Sequence, residues 1–366
     1  MKVIAQTAAL HEALGLIGSI VAVRTPKPVL QCIKLVAKDQ TLTLLATDLE
    51  AGARYQITAV QVEQEGEALV PADRFGGIVR ESGDEESLTI ETDNDAVVVR
   101  GAGSRFKVFG YDPGEYPIVA DFPSAGDLQV SAGVLREMIN KTLFATAKAH
   151  SHYAISGVLW EATGKKLTLV ATDAHRLALA KGALVKAVGK DVNAIVPGKL
   201  MGLIQRVTGE AEETLDVKID ENQILIRTAR AVLISSLVQG NFPKYKDVIP
   251  KDNTSKVSIP TAQFEHRIRQ AALLTSEDSR SVRLAFAEDQ VTLSSRAPET
   301  GEAEVTCPIK LEGPALEIAF NPTFLLDALR VVGTDELNIE LSTTNRPALV
   351  KSGADFQYVL MPVDLG

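Results

Sequence analysis

The residue types that could carry chemistry occur here without the spacing that catalytic and metal sites require. His150, His152 and His175 could ligate a metal ion, but no His-Glu-x-x-His or Cys-His spacing accompanies them. A Gly-Ala-Gly run ends at Gly103, yet Phe106 stands where a dinucleotide-binding loop needs its third glycine. The sequence therefore predicts no metal site and no bound cofactor.

Two aspartates at the ends of similar segments are the nearest approach to a pair of catalytic carboxylates. Asp48 ends the segment LTLLATD (42–48), and Asp173 ends LTLVATD (167–173). Because they hold equivalent positions in a repeat, we expect them to lie far apart and each to hold a turn with its side chain. With no nucleophile elbow or phosphate-binding loop in the sequence, we predict no catalytic residue and expect the chain not to be an enzyme.

The repeat has a third copy, VTLSSRA (291–297), which gives the domain organisation. Each copy begins with a helix that has apolar residues at i and i+4: Leu10 and Leu14, Leu135 and Ile139, Phe264 and Ile268. A second, proline-marked helix and alternating strands follow, and turn residues collect near 121–124 and 250–253. We predict an α+β fold of three repeated domains at 1–123, 124–252 and 253–366, each with two helices packed on antiparallel sheets.

Basic residues are concentrated on the predicted helices, although the chain is acidic overall, with 38 Lys and Arg against 47 Asp and Glu. The predicted helices lie at 7–20, 72–82, 131–148, 197–209, 260–274 and 321–333. Their basic residues are Arg74, Arg80, Arg136, Lys141, Lys148, Lys199, Arg206, Arg267, Arg269 and Arg330, ten in all against six acidic ones. Positive helices on an acidic protein predict a surface for a polyanion, and the alternative is ordinary solvated helix faces.

The composition is that of an ordinary globular protein. Of the 366 residues, 45% are apolar and 23% are charged, and the two cysteines, Cys32 and Cys307, lie far apart in the sequence. Disorder, collagen, coiled coil and a disulfide framework are thereby excluded. No apolar run reaches the roughly 18 residues of a membrane span. We therefore expect a protein of the reducing cytosol, neither secreted nor bound to a membrane.

Several segments along the whole chain resemble one family. V-A-T-D-A-H-R-L (170–177) is similar to V-A-T-D-G-H-R-L of the bacterial DNA polymerase III beta subunits, the sliding clamps. Y-V-L-M-P-V-D-L (358–365) is similar to their terminal Y-x-x-M-P segment, and R-T-P-K-P-V-L (24–30) and N-F-P-K-Y (241–245) match in the same order. The chain is identified as a member of that family, from which it departs at Ala174.

The resemblance implies a non-catalytic processivity factor for DNA replication. Two three-domain subunits would close into a six-domain ring, a homodimer, with twelve helices lining the hole and sheets outside. The implied partners are encircled double-stranded DNA, the DNA polymerase III alpha subunit, the clamp loader, and other polymerases and repair proteins with clamp-binding motifs. A ring holds DNA by topology, and a tethered polymerase keeps a high local concentration at the primer end. The implied location is the bacterial cytoplasm, at the nucleoid.

The resemblance also maps a partner-peptide pocket, placed between the second and third domains, onto this sequence. The matching positions are Ile155, Thr172, His175, Arg176, Leu177, Pro243, Val248, Asn321, Phe324, Val359, Leu360, Met361, Pro362 and Val363. Apolar members would form a groove for short apolar-aromatic motifs, Met361 would adapt to different ligands, and the polar members would orient them. Asp247 and Asp364 stand where relatives often carry basic residues, so we expect the rim to prefer more basic partner peptides.

For DNA, the resemblance adds Arg24 and Tyr153 to the basic residues of the helices. The predicted DNA contacts are Arg24, Arg74, Arg80, Arg136, Lys141, Lys148, Tyr153, Lys199, Arg206, Arg267 and Arg269. Dimer closure would set two residues of an edge strand, Phe106 and Val108, against Leu273 and Leu274 at the end of a helix.

Two other functions stay open from the residues alone. One is a carbohydrate- or metabolite-processing enzyme built on repeated α+β domains, which needs a catalytic constellation in a cleft. The other is a scaffold that binds proteins and not DNA. Reversal of the helix charges separates the scaffold from the clamp, because only the clamp needs those charges to load on DNA.

Overall fold

The computed structural model describes residues 1–147, 153–275, 281–298 and 301–364. Contacts group the chain into two units. Unit 1 comprises Met1–Gly133, Leu184–Lys190 and Lys199–Leu237, and unit 2 comprises Val134–Ala183, Asp191–Gly198 and Val238–Gly366. Every sheet described below lies inside one unit.

Helices and strands follow nearly the same order in each third of the chain. The first third contains β1 (Lys2–Gln6), α1 (Thr7–Ile17), β2 (Cys32–Lys38), β3 (Thr41–Thr47), β4 (Ala51–Ile57), β5 (Val60–Gln64), β6 (Gly66–Pro71), α2 (Ala72–Glu81), β7 (Ser87–Asp93), β8 (Ala96–Arg100) and β9 (Arg105–Phe109). The second contains β10 (Leu128–Ser131), α3 (Ala132–Thr142), β11 (Gly157–Thr163), β12 (Lys166–Thr172), β13 (Arg176–Ala183), β14 (Val192–Pro197), α4 (Gly198–Val207), β15 (Thr214–Ile219), β16 (Gln223–Arg227) and β17 (Ala231–Ser236). The third contains β18 (Ser255–Pro260), α5 (Thr261–Ala272), β19 (Val282–Phe286), β20 (Gln290–Ala297), β21 (Gly301–Pro308), β22 (Lys310–Glu312), β23 (Leu316–Phe320), α6 (Pro322–Leu329), β24 (Glu336–Leu341), β25 (Ala348–Ser352) and β26 (Phe356–Leu360).

The second helix of each third begins directly after a strand, as the prolines predict. β6 ends at Pro71 before α2, and β14 ends at Pro197 before α4. In the third copy Pro322 is the first residue of α6, and the Asn321 side chain caps the helix by accepting from the Thr323 amide at 2.9 Å. All six predicted helices are confirmed within the described residues.

The helices are shorter than predicted at their C-terminal ends. α3 ends at Thr142 instead of continuing to 148, since the Thr142 hydroxyl donates to the Met138 carbonyl at 2.8 Å and Leu143–Ala145 tightens into a 3-10 turn. α6 ends at Leu329, so the predicted helix residue Arg330 is its C-cap. The prediction was wrong at these ends because the apolar spacing continues past the last helical hydrogen bond.

The first helices of the second and third repeats bury the apolar face that their spacing predicts. Leu135 and Ile139 of α3 and Phe264 and Ile268 of α5 are fully buried. Residues at i and i+4 lie on one helix face, so burying both attaches these helices to their sheets. In α1 Leu10 is buried but Leu14 is only half-buried, and the helix buries Ala13 and Ile17 as well.

Unit 1 contains antiparallel sheets that join the first two thirds of the chain. Within its described residues, five strands pair in the order β5-β1-β7-β8-β9 and eight in the order β10-β15-β16-β17-β4-β3-β2-β6. The junction in the larger sheet is the pair β17 and β4, with Val232 opposite Arg54 and Leu233 opposite Ala53. β9 is an edge strand of the smaller sheet.

Unit 2 repeats this arrangement for the second and third thirds. Its described strands pair in the orders β14-β11-β12-β13-β26-β25-β24-β18-β22 and β21-β20-β19-β23. The junction is the pair β13 and β26, with Leu177 opposite Val359. In both units the strand that follows the Ala-Thr-Asp turn pairs with the last strand of the next third, so sheets continue across the repeat boundaries.

The Ala-Thr-Asp turns have the same geometry in both copies. Asp173 Oδ1 accepts from the amides of His175 and Arg176, both at 3.0 Å, as Asp48 Oδ1 does from the amides at 50 and 51. The predicted turn-holding role of both aspartates is confirmed. Ala174 adopts a φ of 75° here, a left-handed conformation that favours glycine. The departure from the family at this position therefore leaves the turn intact and strains one residue.

Replacing Ala174 by glycine relieves that strain. A left-handed alanine costs about 1–2 kcal/mol, and the added freedom of glycine in the unfolded chain takes back about 0.4–1 kcal/mol. We expect Ala174→Gly to raise Tm by about 1–2 °C, measured by calorimetry. Ala178→Gly, in the interior of β13, is the control and should lower Tm. Equal losses in both variants would contradict the strain.

Candidate functional site

The C-terminal residues attach to the edge of β13 and form one side of the candidate groove. Arg176 lies opposite Leu360 in the antiparallel register, and Leu177 lies opposite Val359. Beyond the strand, the Met361 amide donates to the His175 carbonyl at 2.9 Å. The chain end is thus held to the turn that carries the family-like sequence.

The floor of the groove is a buried apolar cluster in unit 2. Leu177 and Val359 are almost fully buried and pack in one cluster with Tyr245. Phe242 and Ile249 pack against it from the same connecting segment as Tyr245. The Tyr245 hydroxyl donates to the Glu161 carboxylate, and burial together with that carboxylate raises the pKa of Tyr245. This hydrogen bond holds Tyr245 in place in the floor, and the Tyr245 phenol stays protonated.

Exposed apolar side chains stand beside this floor. Val248 is 44% exposed and Met361 is 37% exposed. Pro243 is exposed on the same segment as Tyr245, and Ile155 and Pro362 are half-buried. Apolar groups at the surface around a buried apolar floor are typical of a binding groove and not of a solvated face.

Arg176 lies between the second and third repeats and is almost fully enclosed by protein. Its Nε donates to Asp173 Oδ2 at 3.0 Å, and its other two nitrogens donate to Asp327 Oδ2 at 2.7 Å and to the Phe144 carbonyl at 2.8 Å. The guanidinium carbon lies 4.3 Å from the centroid of the Phe324 ring. Burial lowers the pKa of Arg176, but the hydrogen bond to Asp327 and nearby charges more than offset this, so the pKa is raised.

The other polar members of the predicted pocket are also engaged within the protein. The Thr172 hydroxyl donates to the Arg176 carbonyl at 2.7 Å, and the Asn321 side chain caps α6. His175 is exposed and stacks on Phe324 with ring centroids 6.4 Å apart. Of these groups, only the His175 ring is exposed with no hydrogen bond to another described residue.

Residues of the C-terminal segment 358–363 also form hydrogen bonds with β23 and α6. The Val363 amide donates to the Ala319 carbonyl at 2.9 Å, at the end of β23. The Tyr358 hydroxyl donates to the Phe324 carbonyl at 2.9 Å. All fourteen predicted pocket positions lie in unit 2, and Leu177, Val359 and Leu360 are buried where β13 pairs with β26, as is Thr172 at the end of β12.

The predicted pocket left out several residues that build this site. Phe144 and Asp327 hold Arg176, and Tyr245 and Phe242 support the floor. The sequence does contain a signal for Asp327, because this residue lies three positions after the predicted pocket residue Phe324 and therefore on the same face of α6. No local pattern connects Phe144 with the turn, since the contact spans 32 residues.

The predicted DNA contacts are divided between the two units, and most lie on helices. Arg24, Arg74, Arg80, Lys199 and Arg206 belong to unit 1 and are exposed. Arg136, Lys141, Arg267 and Arg269 belong to unit 2, where Arg269 is exposed and the others are half-buried. Lys148 lies outside the described residues. Tyr153 is the first residue of a 3-10 turn, and its side chain is not among the described ones.

Many of these cations have an acidic neighbour. Lys141 pairs with Glu137 at 2.5 Å, Arg269 pairs with Glu265 at 2.5 Å, and Lys199 pairs with Asp48. Surface pairs of this kind contribute about 0–1 kcal/mol. Each pair can therefore open at small cost when another anion approaches.

The predicted dimer residues lie at two sheet edges. Phe106 and Val108 are on the edge strand β9, where Phe106 is 37% exposed. Leu273, just past α5, is 79% exposed. A Cβ on Gly301 would meet Leu274 Cδ1 at 3.9 Å, so Leu274 lies beside the start of β21. Phe109, which was not among the predicted residues, has a side chain that is 77% exposed on the other face of β9.

In the part of the chain that the structure describes, no group of three or more His, Cys, Asp and Glu residues could hold a metal ion. Among the described helices, none is long and apolar enough to cross a membrane.

Known families and relatives match the chain from end to end. The DNA polymerase III beta subunit family matches with its N-terminal domain at residues 1–120, its central domain at 129–244 and its C-terminal domain at 246–364. A beta sliding clamp of Pseudomonas putida is 30% identical over 362 residues, covering 98% of this chain and 99% of that protein. One from Staphylococcus aureus is 29% identical over 341 residues, covering 91% and 90%.

Solved structures of sliding clamps are also similar to this chain over its full length. The DNA polymerase sliding clamp from Bacillus subtilis is 28% identical with a TM-score of 0.95, and coverage is 100% of both chains. A sliding clamp from Pseudomonas aeruginosa bound to griselimycin is 30% identical with a TM-score of 0.95 and the same coverage. The chain belongs to the DNA polymerase III beta subunit family and is a DNA sliding clamp, a non-catalytic processivity factor of replication.

Proposed function

We propose that two copies of the chain close into a ring around duplex DNA, and that the groove of unit 2 holds peptides of the proteins that the ring tethers. The pairing of strands between successive repeats is the observation that supports the ring. β4 pairs with β17, and β13 pairs with β26. The strands in the corresponding positions, β21 and β9, each end a sheet within the described residues.

Pairing β21 of one subunit with β9 of another would repeat the same junction a third time. Such a head-to-tail contact is heterologous, and two of them close a ring of six repeats. An unpaired strand edge recruits another strand readily. Exposed Phe106, Phe109 and Leu273 would then be covered at the junction.

The domain boundaries near 123 and 252 are part of this proposal. In the described structure, the segments 117–127 and 248–254 connect strands of successive repeats and contain no helix or strand. Each domain would contribute two helices, so the six domains of the dimer supply twelve.

Phe106→Asp should convert the dimer to monomers, because a carboxylate in a covered apolar junction has to be desolvated. Sedimentation velocity measures the change. The control is Ile118→Asp, whose side chain is 98% exposed in unit 1 and lies outside β9. A dimer that persists in Phe106→Asp would overturn the placement of the interface.

The basic residues of the helices named above, together with Arg24 and Tyr153, would supply the DNA contacts. A ring held by topology needs only weak contacts, and phosphate contacts strengthen with each cation that replaces a counterion. The surface ion pairs of Lys141, Lys199 and Arg269 fit this requirement, because they exchange a carboxylate for a phosphate at small cost. DNA encirclement would place the protein at the nucleoid of the bacterial cytoplasm.

Topological binding can be tested on nicked circular plasmid loaded by a clamp loader. We expect the isolated complex to lose the protein when the plasmid is cut, because a ring slides off an open end. Equal retention on circle and line would instead mean ordinary contact binding. The readout is the protein that remains with the DNA after gel filtration.

The same assay tests the helix charges. Reversing Arg136, Lys141, Lys148, Lys199 and Arg206 to Glu should abolish loading, because five attractive contacts become repulsive. A control with five other exposed lysines, Lys38, Lys165, Lys166, Lys251 and Lys310, changed to Glu carries the same charge and should load far better. Normal loading of the helix variant would favour the protein-binding scaffold.

The groove would receive apolar-aromatic motifs from the DNA polymerase III alpha subunit, the clamp loader, and other polymerases and repair proteins. Its buried floor at Leu177 and Val359 and its exposed Val248 and Met361 suit Leu and Phe side chains. The Pseudomonas aeruginosa clamp was solved bound to griselimycin. We expect griselimycin to bind this chain as well and to compete with such peptides.

The rim should prefer basic peptides, because Asp247 and Asp364 are exposed beside the groove segments. Asp364→Arg should weaken, by about fivefold, a labelled peptide whose Leu-Phe pair is flanked by lysines, and strengthen the same peptide flanked by glutamates. Fluorescence anisotropy at low and high salt measures both. Asp289→Arg, another exposed aspartate of unit 2, is the control. Unchanged affinities in Asp364→Arg would contradict the rim preference.

A further inference from the structure

We propose that Arg176 is a positioning residue of the groove, which sets the place of Phe324 and His175 and does not itself contact the bound peptide. This inference rests on the proposed peptide groove. It changes the role given to Arg176 by the family resemblance, where polar members of the pocket orient the ligand.

The hydrogen bonds of Arg176 are directed into the protein. Each of its three nitrogens donates to an internal acceptor: a carboxylate of the turn, a carboxylate of α6, and the Phe144 carbonyl. The side chain is only 9% exposed. A guanidinium recognises a ligand carboxylate through two parallel N–H groups, and here three of the five N–H groups, one on each nitrogen, already donate to internal acceptors.

Aromatic rings also lie against the guanidinium. The ring centroid of Phe324 lies 4.3 Å from the guanidinium carbon of Arg176, and that of Phe144 lies 5.4 Å from it. At these distances a cation is attracted to an aromatic ring. Stacking by a ligand group would therefore compete with rings already in contact. Both the hydrogen bonds and the ring contacts point to an internal role.

Arg176 connects elements from both repeats that meet at the groove. Asp173 belongs to the turn of the second repeat, and Asp327 belongs to α6 of the third. Asp327 and Phe324 lie on one face of α6, and Phe324 stacks on His175. Holding Asp327 therefore holds the ring of Phe324 against His175, the one polar pocket side chain that stays open to a ligand.

Asp327 also has a second arginine, which provides a matched control. Arg330 donates to Asp327 Oδ1 at 3.2 Å, but its side chain is 63% exposed and it lies past the end of α6. If the buried Arg176 and not general charge balance at Asp327 positions α6, then Arg330→Gln should leave the groove unchanged.

The test is a double-mutant cycle read by peptide affinity. The probe is a fluorescein-labelled peptide with one Leu-Phe pair in an uncharged Ser/Gly background, together with a second version that carries one Glu. We expect Arg176→Gln and Asp327→Asn each to weaken both peptides by about tenfold, and the double variant to be no weaker than the worse single variant. Arg176→Lys should restore part of the affinity, and Arg330→Gln should match the wild type.

Direct peptide contact predicts a different pattern. If Arg176→Gln weakened only the peptide with Glu, or if its effect simply added to that of Asp327→Asn, the positioning role would be overturned. If Arg176→Gln does not fold, Asp327→Asn decides alone, because it leaves the bonds from Arg176 to Asp173 and Phe144 in place. A tenfold loss then supports the inference and an unchanged affinity overturns it.

The wild-type protein separates this inference from the function on which it rests. If the wild type binds neither peptide, the groove itself is refuted, and the role of Arg176 falls with it. If the wild type binds both and Arg176→Gln binds them equally well, the groove stands and only the positioning role is refuted.

Discussion

The unpaired backbone of strand edges is the constraint on which the rest of the structure depends. Exposed N–H and C=O groups along an edge recruit another strand, and each repeat presents such an edge on the equivalent strand, β4, β13 or β21. The chain satisfies two of these edges internally, with β4 on β17 and β13 on β26. β21 and β9 each end a sheet within the described residues, and in the proposed ring a second subunit pairs with them. A chain of three repeats that pairs in this way needs a partner of the same kind, and the closed ring is the assembly that leaves none of these junctions open.

The comparison of the two internal junctions explains where the groove forms. Gly52 is the equivalent of Leu177, five residues after the threonine of each turn. A Cβ on Gly52 would meet Val119 Cγ1 at 3.3 Å, so the linker valine packs directly over the strand and is 7% exposed. At the second junction the strand carries Leu177 at this position, and Val248 of the second linker is 44% exposed. The second linker therefore keeps an apolar side chain at the surface, beside the buried floor that contains Leu177.

Local patterns predicted the helices and turns, and long-range contacts limited the prediction of the site. Pro71, Pro197 and Pro322 located the second helices because proline restricts the backbone at or just before the first turn. Helix ends were missed where apolar spacing ran past the last hydrogen bond, as at Thr142. Helical spacing places Asp327 beside Phe324, but its bond to Arg176 could not be predicted, since the two residues are 151 positions apart and the contact exists only after β13 and β26 pair. The resemblance placed Arg176 in the pocket, but only its bonds indicate that it supports the pocket from within.

The helix charges suit a protein that must hold DNA and still move along it. Contacts with phosphates strengthen steeply with the number of free cations, so a surface of unpaired lysines and arginines would bind tightly and resist sliding. Here Glu137, Glu265 and Asp48 lie against three of the cations. Each exchange of a carboxylate for a phosphate gains little, and each reversal costs little. Retention then has to come from closure of the ring. For this reason the proposed pairing of β21 with β9 would matter more to function than any single basic residue.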